Sequence, residues 1–219
     1  MMTMRSAEGA IVAPLDPATR GLIVVAAQVF DASEDALAAL MREAREAGTS
    51  ARWLEELVLM TVLFAGFPKA LVAAAALRKV EPKHGDVGDA ADYHAWTDWR
   101  ERGEETAHKV YGANYPKLRD NVKALHPALD AWIITDGYGR TISRPGLDLR
   151  RRELCAIAIL VPQGVPRQLH SHLRGALNAG ATEADVTETL RITGAAVNMP
   201  AGRAKAAVRL WADLRAGAE

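Results

Sequence analysis

Glu153, His170 and His172 are the residues whose types and spacing could carry acid–base chemistry in this chain. Glu153 precedes His172 by 19 positions. A carboxylate beside an imidazole holds the ring in one orientation, a common general-base arrangement. Glu153 has an alternative use: an ion pair with Arg151 or Arg152, or service at a helix N-terminus. His170 and His172 are two apart, about 200° around a helix, so only one can face a given pocket. His172 takes that place in this reading, and His170 is its outward or supporting partner. His-x-His on a helix is poor chelating geometry and no third ligand stands at a telling distance, so no metal site is expected. Cys155 is the single cysteine and lies in an apolar run. An intrachain disulfide and a CxxC pair are therefore impossible, and Cys155 reads as a small buried hydrophobe.

These residues lie in Arg151–Trp211, and a degenerate copy of that stretch lies 132 residues upstream. Sliding one copy on the other without a gap superposes Arg20 on Arg152, Leu37 on Leu169, Gly48 on Gly180, Glu56 on Glu188, Thr61 on Thr193 and Pro68 on Pro200. Matched glycines and prolines at helix ends point to a true repeat. The copies disagree where chemistry is possible. Glu153 falls on Gly21, His170 on Ala38 and His172 on Leu40. A scaffold requirement should appear in both copies, whereas a chemical one need appear in only one.

The elements that would position these residues follow from periodicity and punctuation. Arg20–Phe30 and Arg152–Val161 are apolar segments that could be buried strands or helices by pattern alone. The second is followed by three helical patterns and no strand partner, so both are read as helices. Glu34–Ala47 and Pro166–Ala179 are amphipathic helices stopped by Gly48 and Gly180. Ser50 caps the next helix, and Thr182 with Asp185 forms a capping box in the second copy. The expected fold is all-α with two internal repeats related by pseudo-twofold symmetry. It divides into an N-terminal arm 1–18, a first repeat 19–80, an insert 81–149 and a second repeat 150–219. Within the insert, Glu81–Asp92 reads as a surface loop and Tyr93–Val110 as one or two short helices around Gly103. Tyr115–Leu125 and Ala128–Asp136 read as helices, and Gly137–Leu149 as a turn-rich lead-in.

Composition narrows the function classes. Lys plus Arg and Asp plus Glu number 27 each, which removes the electrostatic footprint of a nucleic-acid binder. No unbroken apolar run reaches about 18 residues, so no membrane span is expected. The first residues lack a signal-peptide h-region, and a cytoplasmic protein is expected. Gly137-Tyr-Gly139 matches no phosphate-binding glycine pattern. The expected partner is a small molecule; Arg144, Arg150, Arg151, Arg152 and Arg174 read mostly as solvated or interface charges, of which one or two could bind its carboxylate bidentately.

SRPGLDLRRRELCAIAIL, RQLHSHLRGALNAGATEADVTETL and the closing NMPAG resemble the carboxymuconolactone decarboxylase family, whose superfamily includes alkylhydroperoxidase-D-like proteins. The resemblance covers Glu105–Ala212 well and the first copy more weakly. It implies an all-α fold that builds rings of six repeat units, hence a homotrimer for a two-repeat chain. The peroxidase branch uses a Glu, a CxxC and a His as a thiol relay. Glu153 and His172 match that pattern, while the thiol positions hold Val165 and Gln168. Disulfide-based peroxide reduction is thereby excluded, and a divergent antioxidant using Cys155 alone is disfavoured. The decarboxylase branch works without a cofactor, and the resemblance implies a lyase of aromatic degradation that needs none. By resemblance His172 donates and accepts the proton, Glu153 orients it, and Arg144 or Arg174 clamps the substrate carboxylate. Gln168 and His170 are the remaining candidates for substrate contact. A non-catalytic helical oligomer that binds a small ligand is the other alternative.

Overall fold

The computed structural model describes residues 15–83 and 95–217. They form α1 (Pro17–Gln28), α2 (Glu34–Glu46), α3 (Ala51–Val80), α4 (Trp96–Tyr111), α5 (Tyr115–Leu125), α6 (Pro127–Trp132), a π-helical segment (Ile133–Ile142), α7 (Leu149–Gln163), α8 (Pro166–Asn178), α9 (Glu183–Ala196) and α10 (Ala201–Ala216). The fold is all-α.

The 132-residue offset carries α2 onto α8 end to end, and residues 51–64 of α3 onto α9. Capping follows the same rule. Asp16 accepts from the Thr19 amide ahead of α1, and Asp148 from the Arg151 amide ahead of α7. Ser50 caps α3, and Thr182 with Asp185 forms the full capping box of α9. Gly48 and Gly180 take positive φ of 96° and 91° after α2 and α8, the left-handed conformation that ends a helix most cheaply with glycine.

The repeats interlock across their pseudo-twofold axis. Arg152 Nη2 reaches Glu56 at 2.9 Å, and the equivalent Arg20 pairs with the equivalent Glu188. Gln163 Nε2 donates to the Phe64 carbonyl at 2.9 Å, while Gln28 donates to Ala196, the counterpart of Phe64. Arg151 and Thr19 occupy equivalent positions and touch directly, Nε to Oγ1 at 2.8 Å. The axis therefore passes between the first turns of α1 and α7. Behind that contact α7 is buried from Arg152 through Pro162, which makes it the central helix. An apolar helix without a polar face belongs in such a position.

Several boundaries differ from the sequence expectation. The expected arm 1–18 overlaps the first helix, which Asp16 caps and which begins at Pro17; residues 1–14 lie outside the described residues, as do 84–94 of the expected loop and its junction with the next helix. Gly103 does not divide α4, which runs unbroken through it. Gly137–Ile142 belongs to the π-helical segment rather than to a turn-rich lead-in. The two glycine effects share one cause. A Cβ on Gly103 would lie 2.1 Å from the Ile134 carbonyl oxygen, and one on Gly139 would lie 1.8 Å from that of Trp99. The glycines let two backbones approach closely, so they mark a helix crossing.

Among the described residues α3 is the helix long and apolar enough to cross a membrane, with mean hydropathy 2.0 over 18 residues and a third of that window buried. Gly66, at φ 77° and ψ 168°, kinks it ahead of Pro68. Leu54, Leu57, Met60, Ala73 and Leu77 anchor both halves in the core. Leu59, Leu63, Phe67 and Leu71 remain exposed in a row four residues apart.

Candidate active site

Glu153 stands on the second turn of α7 and His172 midway along α8, its antiparallel neighbour across a short break. Glu153 Oε2 and His172 Nδ1 are 2.8 Å apart. The carboxylate is buried at 1% exposure, while 12% of the imidazole side chain is exposed. A carboxylate oxygen accepts, so Nδ1 carries the proton and Nε2 is left for another partner. That nitrogen can take a proton when neutral and give one when charged.

The carboxylate fits because α8 has no side chain at Gly175. A Cβ there would lie 2.7 Å from Glu153 Oε2 and 2.7 Å from Val110 Cγ1. The last turn of α4 thus presses on the carboxylate from the far side. Asn178 Nδ2 donates to the Val110 carbonyl at 2.7 Å and pins that turn to α8. From the first repeat, Phe64 places its ring edge-on to His172, with centroids 5.2 Å apart and planes at 75°. The candidate site therefore draws on α3, α4, α7 and α8.

Two phenols complete the neighbourhood. Tyr138, on the π-helical segment, donates to the Tyr111 hydroxyl at 3.1 Å, with the rings edge to face. Burial, helped by the negative charge of Glu153, pushes Tyr111 up to about 12, although the Tyr138 hydrogen bond opposes it. Burial also raises Tyr138 well above its ordinary value. Both stay protonated at any ordinary pH.

The remaining sequence candidates are scattered. Arg144 is buried and its Nε lies 3.2 Å from Glu56 Oε2, in a cluster where Arg152 also meets Glu56 and Arg52 Nη2 lies 3.0 Å from its other oxygen. The Arg152 side chain is fully buried and also donates to the carbonyls of Leu147 and Arg144. Arg174 is exposed and His170 half-buried. Each is two positions from His172, about 200° around α8, and so faces away from Glu153. Gln168 is exposed one turn before His172, on the same side of α8. Cys155 is wholly buried in α7, and burial pushes its thiol up to about 12. A thiol so protected is a poor nucleophile.

Sequence reasoning missed Phe64, Tyr111, Tyr138 and Gly175. Gly175 was within reach of the repeat comparison, because its counterpart is Glu43, while the counterpart of Glu153 is Gly21. Carboxylate and glycine exchange helices between copies. The first copy is sealed at that point: a Cβ on Gly21 would lie 3.0 Å from both Ala44 Cα and Thr49 Oγ1. Tyr111 and Tyr138 lie between the repeats, where no internal copy exists for comparison.

Known sequences agree with the two-repeat reading. A family model described as the carboxymuconolactone decarboxylase family matches residues 1–79 and 127–213. A nitrosuccinic acid decarboxylase of Metarhizium robertsii is 30% identical over 41% of this chain and 64% of its own length. Peroxisomal protein 2 of Schizosaccharomyces pombe is 30% identical over 64% of this chain and 66% of its own. A 4-carboxymuconolactone decarboxylase of Acinetobacter baylyi is 28% identical over 47% of this chain and 78% of its own. The chain thus spans a little under two thirds of the first two relatives.

Proposed function

The chain belongs to the carboxymuconolactone decarboxylase family, and we propose on that premise that it is a cofactor-free carboxy-lyase for a small carboxylated or lactone substrate. The observation that carries this reading is the 2.8 Å contact between buried Glu153 and His172 Nδ1. The names of two relatives, one acting on nitrosuccinic acid and one on 4-carboxymuconolactone, support decarboxylation as the reaction class.

Loss of CO₂ breaks a carbon–carbon bond and leaves its electron pair on the substrate, where an adjacent carbonyl delocalises it as an enolate. Protonation at carbon completes the reaction. His172 takes a proton from solvent at Nε2 and, as the imidazolium, delivers it to the substrate carbon, while Glu153 holds the ring and offsets the imidazolium charge. Phe64 closes one side against water. Of the substrate-binding candidates, Gln168 is the one on the same side of α8 as His172. Arg144, engaged with Glu56, is more reasonably a scaffold residue. A homotrimer is part of the proposal. The exposed row Leu59, Leu63, Phe67 and Leu71 offers it an apolar face, and light scattering giving the mass of one chain would refute it.

CO₂ release from 4-carboxymuconolactone tests the reaction. His172→Gln and Glu153→Gln should each lower kcat by at least about a hundredfold, the usual contribution of a positioned acid–base group. Turnover that survives His172→Gln unchanged rules the mechanism out.

A further inference from the structure

The segment between the repeats contributes more than a cover. We propose that Tyr111 is a ligand-binding residue of the Glu153–His172 site, its hydroxyl donating a hydrogen bond to an oxygen of the bound carboxylate or lactone. This rests on the reading of that site as a small-molecule pocket.

Geometry carries the proposal. Tyr111 is the last residue of α4, directly after Val110, whose Cγ1 converges with Glu153 Oε2 on Gly175. The turn is fixed by the Asn178 bond to the Val110 carbonyl, and it ends at Gly112 with φ 52°. The tyrosine is therefore the next residue on the turn that meets the Glu153 carboxylate, near enough for that charge to act on its phenol. The two phenols share one hydrogen bond but carry two protons, so one proton is left for another acceptor. Tyr138 is the more deeply buried of the two, which leaves Tyr111 as the one able to offer its proton to a ligand. A phenol that has already accepted one hydrogen bond is a better donor of the next.

The chemistry also suits the neighbourhood. A second carboxylate near Glu153 would repel an anionic ligand. A neutral phenol places a donor there without adding charge, and it remains protonated throughout the working range. Tyr138 has no ligand to touch in this scheme; it is a positioning residue that fixes where Tyr111 aims.

Binding and turnover separate the possibilities. The probe is muconolactone, a five-membered lactone with an acetate arm and no second carboxylate to lose, titrated calorimetrically into the full chain. Tyr111→Phe keeps the ring and should weaken its Kd by about tenfold, the effect of one hydrogen bond to a charged or strongly polar acceptor. Tyr138→Phe should weaken it by about threefold. His172→Gln should lower kcat for CO₂ release from 4-carboxymuconolactone by at least about a hundredfold, whereas Tyr138→Phe acts on the probe's Kd. Thermal melts of both phenylalanine variants within a few degrees of the parent verify that packing survives. Equal affinity of Tyr111→Phe and parent overturns the proposal, as does a parent that binds no muconolactone. A parent that binds muconolactone through Tyr111 yet releases no CO₂ refutes the decarboxylase reading and leaves the tyrosine's role standing.

Discussion

Gly175 decides whether Glu153 can sit where it does. The position its side chain would occupy is 2.7 Å from the carboxylate oxygen and 2.7 Å from a Val110 methyl. Gly175→Ala must push one of them aside. Over-packing of this kind costs about 1–3 kcal/mol. Displacing a catalytic group by an ångström can also lower the rate by about a hundredfold. A Tm lowered by several degrees together with that loss of kcat is the expected result. Full activity would mean that the carboxylate does not need its present place. Cys155 shows the opposite case. Its apolar surroundings in sequence read as those of a small buried hydrophobe, and burial inside α7 keeps the sulfur protonated and out of reach.

At the scale of elements, the crossing of α4 and the π-helical segment through Gly103 and Gly139 sets the height of Tyr111 and Tyr138. The atom opposing a Cβ on Gly139 is the Trp99 backbone oxygen at 1.8 Å, which cannot rotate away as a side chain could. Gly139→Ala should therefore cost at least about 3 kcal/mol, seen in calorimetry as a Tm lower by roughly 6–12 °C for a chain of this size. A melt within about 2 °C of the parent would show that the crossing is not tight. This crossing also marks where the sequence stopped being legible. The caps Ser50 and Thr182 and the stops at Gly48 and Gly180 are local signals, and they mark ends of α2, α3, α8 and α9; Asp148 carries no such mark in the expectation, and α7 begins at Leu149, ahead of the expected Arg152. Glu153 and His172 were legible because an internal copy without them was available for comparison. Gly103 and Gly139 carry the same letter as turn glycines, and only the partner backbone distinguishes a crossing from a turn. Arg144 likewise looks the same in sequence whether it faces a substrate or Glu56.

At the scale of the molecule, the two repeats are joined by equivalent bridges in different surroundings. Glu56 is fully buried beneath Arg152, Arg144 and Arg52. Glu188 lies nearer the surface, held down to about 2 by Arg191 first and then by Arg20. Its folded pKa is depressed from an ordinary 4.5. The stability it contributes is therefore present above 4.5 and lost as pH falls towards 2. The Tm difference between parent and Glu188→Gln should be constant near neutrality, corresponding to no more than about 1 kcal/mol for such a bridge. It should shrink as pH falls through that window. A difference independent of pH from 6 to 2 would show that the bridge does not form.

The closed first copy has a numerical consequence. Gly21 lies so near Ala44 and Thr49 that no carboxylate can be restored at that position without separating α1 from α2. Leu40 stands where the imidazole would be, and Ala196 where Phe64 would be. Duplication gave the chain two scaffolds but left room for one Glu–His pair. The proposed site therefore occurs once per chain, and the proposal predicts one ligand bound per chain however many chains assemble.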